Sequence, residues 1–215
     1  MPYVAPPRRD FSSLRRRMVE QQIASRGVRS PLVLAAMGNV AREGYLPSYL
    51  GEFAYEDAPL PIEEEQTISQ PYIVAFMIEA LELSGGERVL EVGTGSGYAA
   101  AVLSRLCEQV ITIERYESLA EGAAATLAEL GYDNVEVRVG DGAQGAPDRA
   151  PFGGISVTAT ARDEPPAALV EQLAPGAALV CPIARGRREF LIRLRDGEEE
   201  TVASVRFVPL VSDDE

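Results

Sequence analysis

Arg88-Val-Leu-Glu-Val-Gly-Thr-Gly-Ser-Gly-Tyr98 is the stretch from which the rest of the chain is read. Residues 88–92 form a short apolar run of the kind that makes a buried strand, and residues 98–106 read as a helix. Between them Gly93, Gly95 and Gly97 stand at every second position. A strand that breaks into glycines and opens a helix brings bare backbone N–H groups and a helix N-terminus against a ligand. The spacing is G-x-G-x-G, whereas the dinucleotide fingerprint G-x-G-x-x-G would need glycine where Tyr98 stands. Glu91 lies two residues before the first glycine, at the C-terminal end of the strand.

That combination fits the S-adenosylmethionine (SAM) loop of a class I methyltransferase better than a nicotinamide site, although short glycine loops also arise by chance. The flanking chain supplies the matching pattern. Strands are predicted at 88–92, 109–114, 135–139, 152–159 and 177–183, alternating with helices at 98–106, 116–130 and 165–173. Alternation of this kind implies a mostly parallel sheet with right-handed crossovers. Residues 189–195 and 201–208, joined at Asp196-Gly197, read as a closing antiparallel hairpin. The expected fold class is therefore α/β, a Rossmann-like three-layer sandwich with an N-terminal helical and loop extension. It divides into helices and a substrate loop (11–84), a cofactor-binding core (85–184) and the hairpin (185–211), all in a single domain covering 1–215.

In the extension, 1–10 read as a loose Pro- and Arg-rich arm. Ser12 or Ser13 caps a helix to about residue 25 that Gly27 ends, and Ser30-Pro31 opens a second to about residue 37. Residues 43–70 show no sustained period, but Tyr45, Tyr49, Phe53 and Tyr55 argue for an ordered, packed loop. Ser69 or Gln70 then caps a helix over 72–83.

Composition narrows the function. The 215 residues suit one sizeable core, and no apolar run approaches the roughly 18 residues of a membrane span. Cys107 and Cys181 have no metal spacing and read as reduced core thiols of a cytoplasmic protein; the start does not read as a signal peptide. There is no histidine, which excludes imidazole catalysis and histidine metal ligands, and no metal site is expected. All 20 basic residues are arginine, and the formal net charge is −13. Residues 1–42 carry +6 and residues 43–215 carry −19, with nine acids and no basic residue between 43 and 84. That balance disfavours nucleic acid and leaves a cationic partner, or simply a solvated acidic surface.

Two acids are placed for an adenosine group. Glu114, 21 residues beyond Gly93 at a strand end, can accept from both ribose hydroxyls. Asp141, at the next strand end before Gly142, is placed for the adenine amino group; it also suits a plain Asp-Gly turn.

Leu60-Pro-Ile, Gln66-Thr-Ile-Ser-Gln-Pro-Tyr72, Leu90-Glu-Val-Gly-Thr-Gly-Ser-Gly-Tyr98, Gly140-Asp-Gly142, Ala150-Pro-Phe152 and Val205-Arg-Phe-Val-Pro-Leu210 together resemble the protein-L-isoaspartate O-methyltransferase family. Met18-Val-Glu-Gln-Gln-Ile23 and Tyr55-Glu-Asp57 extend the likeness over nearly the whole chain. The resemblance implies methylation of isoaspartyl carboxylates with SAM, S-adenosylhomocysteine as product, and cyclisation of the ester to a succinimide. It implies a peptide or protein substrate, a cationic one being left open by the acidic stretch, with the enzyme a monomer away from membranes. Carried over, the active-site serine falls on Ser69, with Thr67 and Ile68 beside it at the cofactor and Asp57 in the loop near the substrate. Glu91, Gly93, Glu114, Asp141 and Gly142 match SAM contacts, with Thr94, Gly95 and Arg115 adjoining. Ser69 is equally suited to capping a helix.

The chain departs from the family's pattern at Glu63-Glu64-Glu65, where Gly-x-Gly is usual before Gln66, and at Gly153-Gly154, where Asp follows Phe152. Three carboxylates beside the reacting centre would favour a cationic peptide, and two glycines would loosen a strand edge. Two acceptors therefore stay open: damaged isoaspartyl sites in many proteins, or a normal aspartate in a basic ribosomal precursor peptide that becomes a stable aspartimide. Outside this chemistry stand a non-catalytic SAM- or peptide-binding module and a nicotinamide oxidoreductase.

Overall fold

The computed structural model describes residues 10–213; the arm expected at the start of the chain falls mostly outside them. The first helix, α1 (Phe11–Arg17), is capped by Asp10 and not by a serine. The Asp10 carboxylate accepts from both the Ser12 and Ser13 hydroxyls and from the Ser13 N–H, which pulls its pKa down to about 2. The helix widens into a π-turn (Met18–Ile23), tightens into a 3-10 turn (Ala24–Arg26) and stops at Gly27, whose φ is 105°. Ser30 caps α2 (Pro31–Asn39) by accepting from the Val33 N–H.

The aperiodic stretch is ordered. Two 3-10 turns, Arg42–Tyr45 and Ser48–Phe53, lead into a small antiparallel hairpin of β1 (Leu60–Pro61) and β2 (Thr67–Ile68). Two-residue strands are too short to leave an alternation in sequence, so only their turn chemistry could have announced them. It did not, because the turn runs through Glu64 and Glu65 with φ of 55° and 56°, a conformation usually given to glycine.

From α3 (Pro71–Leu81) the order is β3 (Arg88–Val92), α4 (Tyr98–Leu103), β4 (Gln109–Glu114), α5 (Glu117–Glu129), β5 (Val135–Val139), β6 (Phe152–Val157) and β7 (Ala161–Arg162). The chain then forms α6 (Ala167–Glu171), β8 (Leu173–Arg185), β9 (Arg188–Arg195) and β10 (Glu198–Ser204). The sheet order is β10-β9-β8-β6-β3-β4-β5, parallel from β8 to β5, with β9 and β10 antiparallel and β7 paired to β8. Strand β8 is longer than expected, and it turns straight into β9. Residues 205–208, predicted as strand, leave the sheet instead.

Helices cover both faces. Val89 packs with the N-terminal helices, α3 and α4, while Leu90 and Val92 pack on the opposite face with Phe152, Leu169 and Leu179. Gly153-Gly154 does not loosen an edge, because β6 lies inside the sheet between β3 and β8. A Cβ on Gly153 would stand 2.6 Å from the Cβ and Cγ of Glu87. Glu87 cannot swing aside, since its carboxylate accepts from the Ser84 and Gly85 N–H groups at 2.7 Å. Glycine there is a packing requirement.

Successive strands run outward from β3 on one side and from β6 on the other, so the strand order reverses between them. The crevice at the carboxyl ends of strands about such a reversal is where open α/β sheets bind ligands. The glycine loop sits there. No helix among the described residues is long and apolar enough to cross a membrane.

Candidate active site

A cavity of about 900 Å³ opens at this reversal, near the top of the roughly 300–1,000 Å³ range of ligand pockets. Gly93, Thr94, Gly95 and Ser96 line one wall, Ile113, Glu114, Arg115 and Tyr116 a second, and Gln66 to Gln70 a third. Gly93, Gly95 and Gly97 all have positive φ (94°, 52° and 84°). Helix α4 behind them has only six residues, so the loop's bare backbone contributes more here than a helix dipole. Gly93 is fixed from above: the Thr158 hydroxyl is 2.9 Å from the Val92 carbonyl and 2.8 Å from that of Gly93. A Cβ on Gly93 would meet the Thr158 Oγ1 at 2.3 Å.

Glu114 is nearly buried and ties this wall together. Its Oε2 accepts from the Gly95 N–H at 2.8 Å, and its Oε1 accepts from Arg115 and Tyr116 N–H groups at 2.9 and 3.1 Å. A carboxylate offers about four acceptor positions. Three are already taken, which leaves room for one ribose hydroxyl where the sequence suggests two.

Two expected cofactor contacts stand back from the cavity. Glu91 is fully buried under the loop; its Oε2 accepts from the Thr112 hydroxyl at 2.6 Å, and Oε1 has no partner. Burial pushes its pKa up to about 8. Strand β3 is covered on both faces, so a side chain one residue before its end sinks into a helix layer and not toward the ligand. Thr94 does reach the wall, but its hydroxyl is 2.7 Å from that of Thr112. Asp141 is also off the wall, with Oδ1 accepting from the Ala143 N–H at 2.9 Å and Oδ2 from the Asp213 N–H at 3.1 Å; Gly142 is on the wall.

At the other end are Thr67, Ile68 and Ser69. Ser69 is not the helix cap: Gln70 holds that position and makes no side-chain cap bond. The Ser69 hydroxyl has no hydrogen-bond partner among the described residues, so the fold leaves it free at the wall. Asp57 does not line the cavity; it pairs with Arg26, Oδ2 to Nη1 at 2.7 Å, and Arg26 is on the wall in its place. Glu63, Glu64 and Glu65 are exposed on the β1–β2 turn and none lines the cavity; Glu64 accepts from the Ser118 hydroxyl at 2.7 Å. The idea of three carboxylates beside the reacting centre is thereby corrected: the turn carries them outward, and only Gln66 reaches the wall.

The roof is residues 203–211, which the sequence reads as strand as far as 208. Glu189 holds it, its Oε2 accepting from the Thr160 hydroxyl and the Phe207 N–H, both at 2.9 Å. The Thr160 backbone bonds Val208 and Leu210 on either side. Nothing in sequence distinguishes a strand that continues from one that crosses the sheet end, and Arg26 reads only as the end of a helix. Thr158, the residue after a strand, carries no signal either.

A glycine loop at the reversal, an acid closing the neighbouring strand and a cavity roomy enough for a nucleoside-sized ligand plus a peptide residue define a class I SAM-dependent methyltransferase. The model of the family described as "Protein-L-isoaspartate(D-aspartate) O-methyltransferase (PCMT)" matches residues 13–215. "Protein-L-isoaspartate O-methyltransferase 1" of Rhodopseudomonas palustris (strain HaA2) is 52% identical over 99% of this chain and 89% of that protein. Among solved structures, a protein-L-isoaspartate O-methyltransferase aligns with TM-score 0.81 and 32% identity over 92% of this chain and 66% of that one. A putative protein-L-isoaspartate O-methyltransferase from Plasmodium falciparum, in complex with S-adenosyl-L-homocysteine, aligns with TM-score 0.78 and 26% identity over 92% and 98%. The chain belongs to the protein-L-isoaspartate(D-aspartate) O-methyltransferase family.

Proposed function

We propose that the enzyme transfers a methyl group from SAM to the carboxylate of isoaspartyl residues in proteins, opening the route through a succinimide back to aspartate. The observation that carries this is the Ser69 hydroxyl, unused by the fold, on the cavity that the glycine loop and Glu114 also line. SAM, when bound, supplies an electrophilic methyl group. The loop N–H groups and Glu114 suit its nucleoside, and residues 203–211 line the cavity opposite them.

The acceptor needs no activation. A carboxyl with an ordinary pKa near about 4 is ionised at neutral pH, so a chain without histidine lacks nothing. What the residues must do is hold one carboxylate oxygen in line, and orientation of that kind can supply much of a barrier reduction. Ser69 is placed to donate to the other oxygen. In this reading the enzyme acts as a monomer.

The basic precursor-peptide reading loses its support, because the Glu triplet is outside the cavity and the relatives are isoaspartate methyltransferases by name. Mass spectrometry with SAM and two peptides tests the choice. An isoaspartyl peptide in a neutral context is expected to gain one methyl group and then lose methanol as it cyclises; methylation of only a normal aspartate in an Arg/Lys-rich peptide would overturn the proposal. Ser69→Ala is expected to lower kcat by about 10- to 100-fold, the range of one hydrogen bond to a charged group, with SAM affinity unchanged. A comparable loss of SAM binding would make Ser69 structural.

A further inference from the structure

We infer that Arg26 is the substrate-binding residue that reads the charge of the acceptor: its guanidinium receives the isoaspartyl carboxylate at the cavity wall. This rests on the isoaspartyl reading above. The placement is built and not incidental. Gly27 stops the 3-10 turn, so Arg26 leaves it at a fixed point. Its Cζ lies 3.6 Å above the centre of the Tyr72 ring, which holds the guanidinium plane by cation–π stacking. Its Nη1 donates to Asp57 Oδ2 at 2.7 Å, and the Asp57 carbonyl in turn accepts from Gln70 Nε2 at 3.0 Å. Gln70 and Tyr72 follow Ser69 directly in the chain, so the partners of the cation and the free hydroxyl are set by one piece of backbone.

One donor edge of Arg26 is used, and Nε and Nη2 have no partner among the described residues. A planar guanidinium with two donors free in a fork is the geometry that takes a carboxylate in bidentate fashion. Its side chain is 42% exposed, so it is hydrated and open to a ligand. The other cations on the wall are placed differently. Arg115 is bound to Asp213 at 2.8 Å beside Glu114, at the nucleoside end, and Arg206 is exposed on the roof.

The electrostatic need is plain from the charge distribution. The chain carries a net charge of −13, and Glu114 adds a carboxylate on the cavity wall itself. An anionic acceptor approaching that surface is repelled unless a local cation offsets the field. Reaction then removes the attraction. The carboxylate oxygen forms a bond to the methyl carbon as the methyl–sulfur bond breaks, its electron pair staying on sulfur. The acceptor becomes a neutral ester while the sulfonium becomes a neutral thioether. Arg26 therefore holds the reactant more tightly than the product, which favours product release; its removal raises KM and does not lower kcat.

The test is calorimetric binding to the enzyme loaded with S-adenosylhomocysteine, using an isoaspartyl peptide and its carboxamide counterpart, which is neutral and does not react. Wild type is expected to prefer the acid by about 10- to 100-fold. Arg26→Met should bind both peptides as wild type binds the amide, with affinity for S-adenosylhomocysteine unchanged; Arg26→Lys should keep part of the preference, and Arg206→Met all of it. In turnover, Arg26→Met should raise peptide KM by a similar factor at constant kcat. Equal weakening of acid and amide by Arg26→Met would show a purely structural role, and loss of the preference in Arg206→Met alone would move the function there. Either result overturns the inference. If wild type methylates no isoaspartyl peptide, the underlying function falls first.

Discussion

Gly93→Ala is expected to weaken SAM binding by at least about 30-fold, measured by calorimetry. Two costs add. The residue has φ of 94°, where an L side chain is strained by roughly 1–3 kcal/mol. Its Cβ would also stand 2.3 Å from Thr158 Oγ1, a contact that no small shift absorbs, and overpacking of this kind costs about 1–3 kcal/mol. Thr158 cannot rotate away freely, because its hydroxyl is bonded to the carbonyls of Val92 and Gly93. The free enzyme escapes both costs by letting the loop leave its native conformation, and SAM must restore that conformation to bind. The sum, about 2 kcal/mol at its lowest, is a factor of roughly 30 in an equilibrium constant at about 1.36 kcal/mol per tenfold. The two costs can be separated. Thr158→Ala removes Oγ1, and the next atom a Cβ at 93 would meet is Thr158 Cβ at 3.6 Å. The double variant should therefore bind SAM several-fold more tightly than Gly93→Ala. If it binds no better, the clash is not the cause and backbone strain alone accounts for the loss.

The same pair of residues shows what sequence carries and what it does not. The glycines announce a sharp turn between strand and helix, and the alternation of apolar runs announces the parallel sheet, because both are local consequences of backbone geometry. Thr158 lies 65 residues from Gly93 and acts through a contact between adjacent strand ends, which no local pattern encodes. Arg26 and Asp57 meet in the same way. Ser69 is legible as a residue type in a motif, but its freedom from the helix cap depends on which residue the chain places at the first turn. The acids divide along the same line. Glu114 at the end of its strand reaches the cavity, while Glu91, one residue short of its strand end, turns into the helix layer. The Glu63–Glu65 run reads as a substrate surface because charge is visible in sequence and direction is not. A hairpin with two residues at positive φ sends it away from the cavity.

Glu91 makes the stability of the ligand-free enzyme fall as pH rises between about 4.5 and about 8. Its carboxyl is fully buried, with one oxygen unpartnered, and its folded pKa is pushed up to about 8 from an ordinary value near 4.5. Within that window the folded state keeps a proton that the unfolded chain has released, so unfolding is favoured as pH rises. The stabilisation is complete below the unfolded value and gone once pH has passed the folded one. The size is on the order of a few kcal/mol, because each tenfold difference in proton affinity between the two states is worth about 1.36 kcal/mol. Few other groups obscure it. The chain has no histidine, and burial pushes Cys107 and Cys181 up to about 12. Asp10, Glu82, Glu87, Asp148 and Glu199 have lowered pKa values from hydrogen bonds or arginine partners. Their stabilisation is lost as pH falls, below the window and with opposite sign. Glu91→Gln keeps the shape, cannot ionise and retains an oxygen to accept from Thr112. Denaturant midpoints measured from pH 5 to 8.5 should decline for wild type and stay nearly level for Glu91→Gln, the two curves converging or crossing toward high pH. Parallel curves would mean that Glu91 is ionised in the folded enzyme at neutral pH, with water or a shifted Thr94–Thr112 pair solvating it. The acid of the family's loop motif would then be a charged element of the site and not a neutral part of its floor.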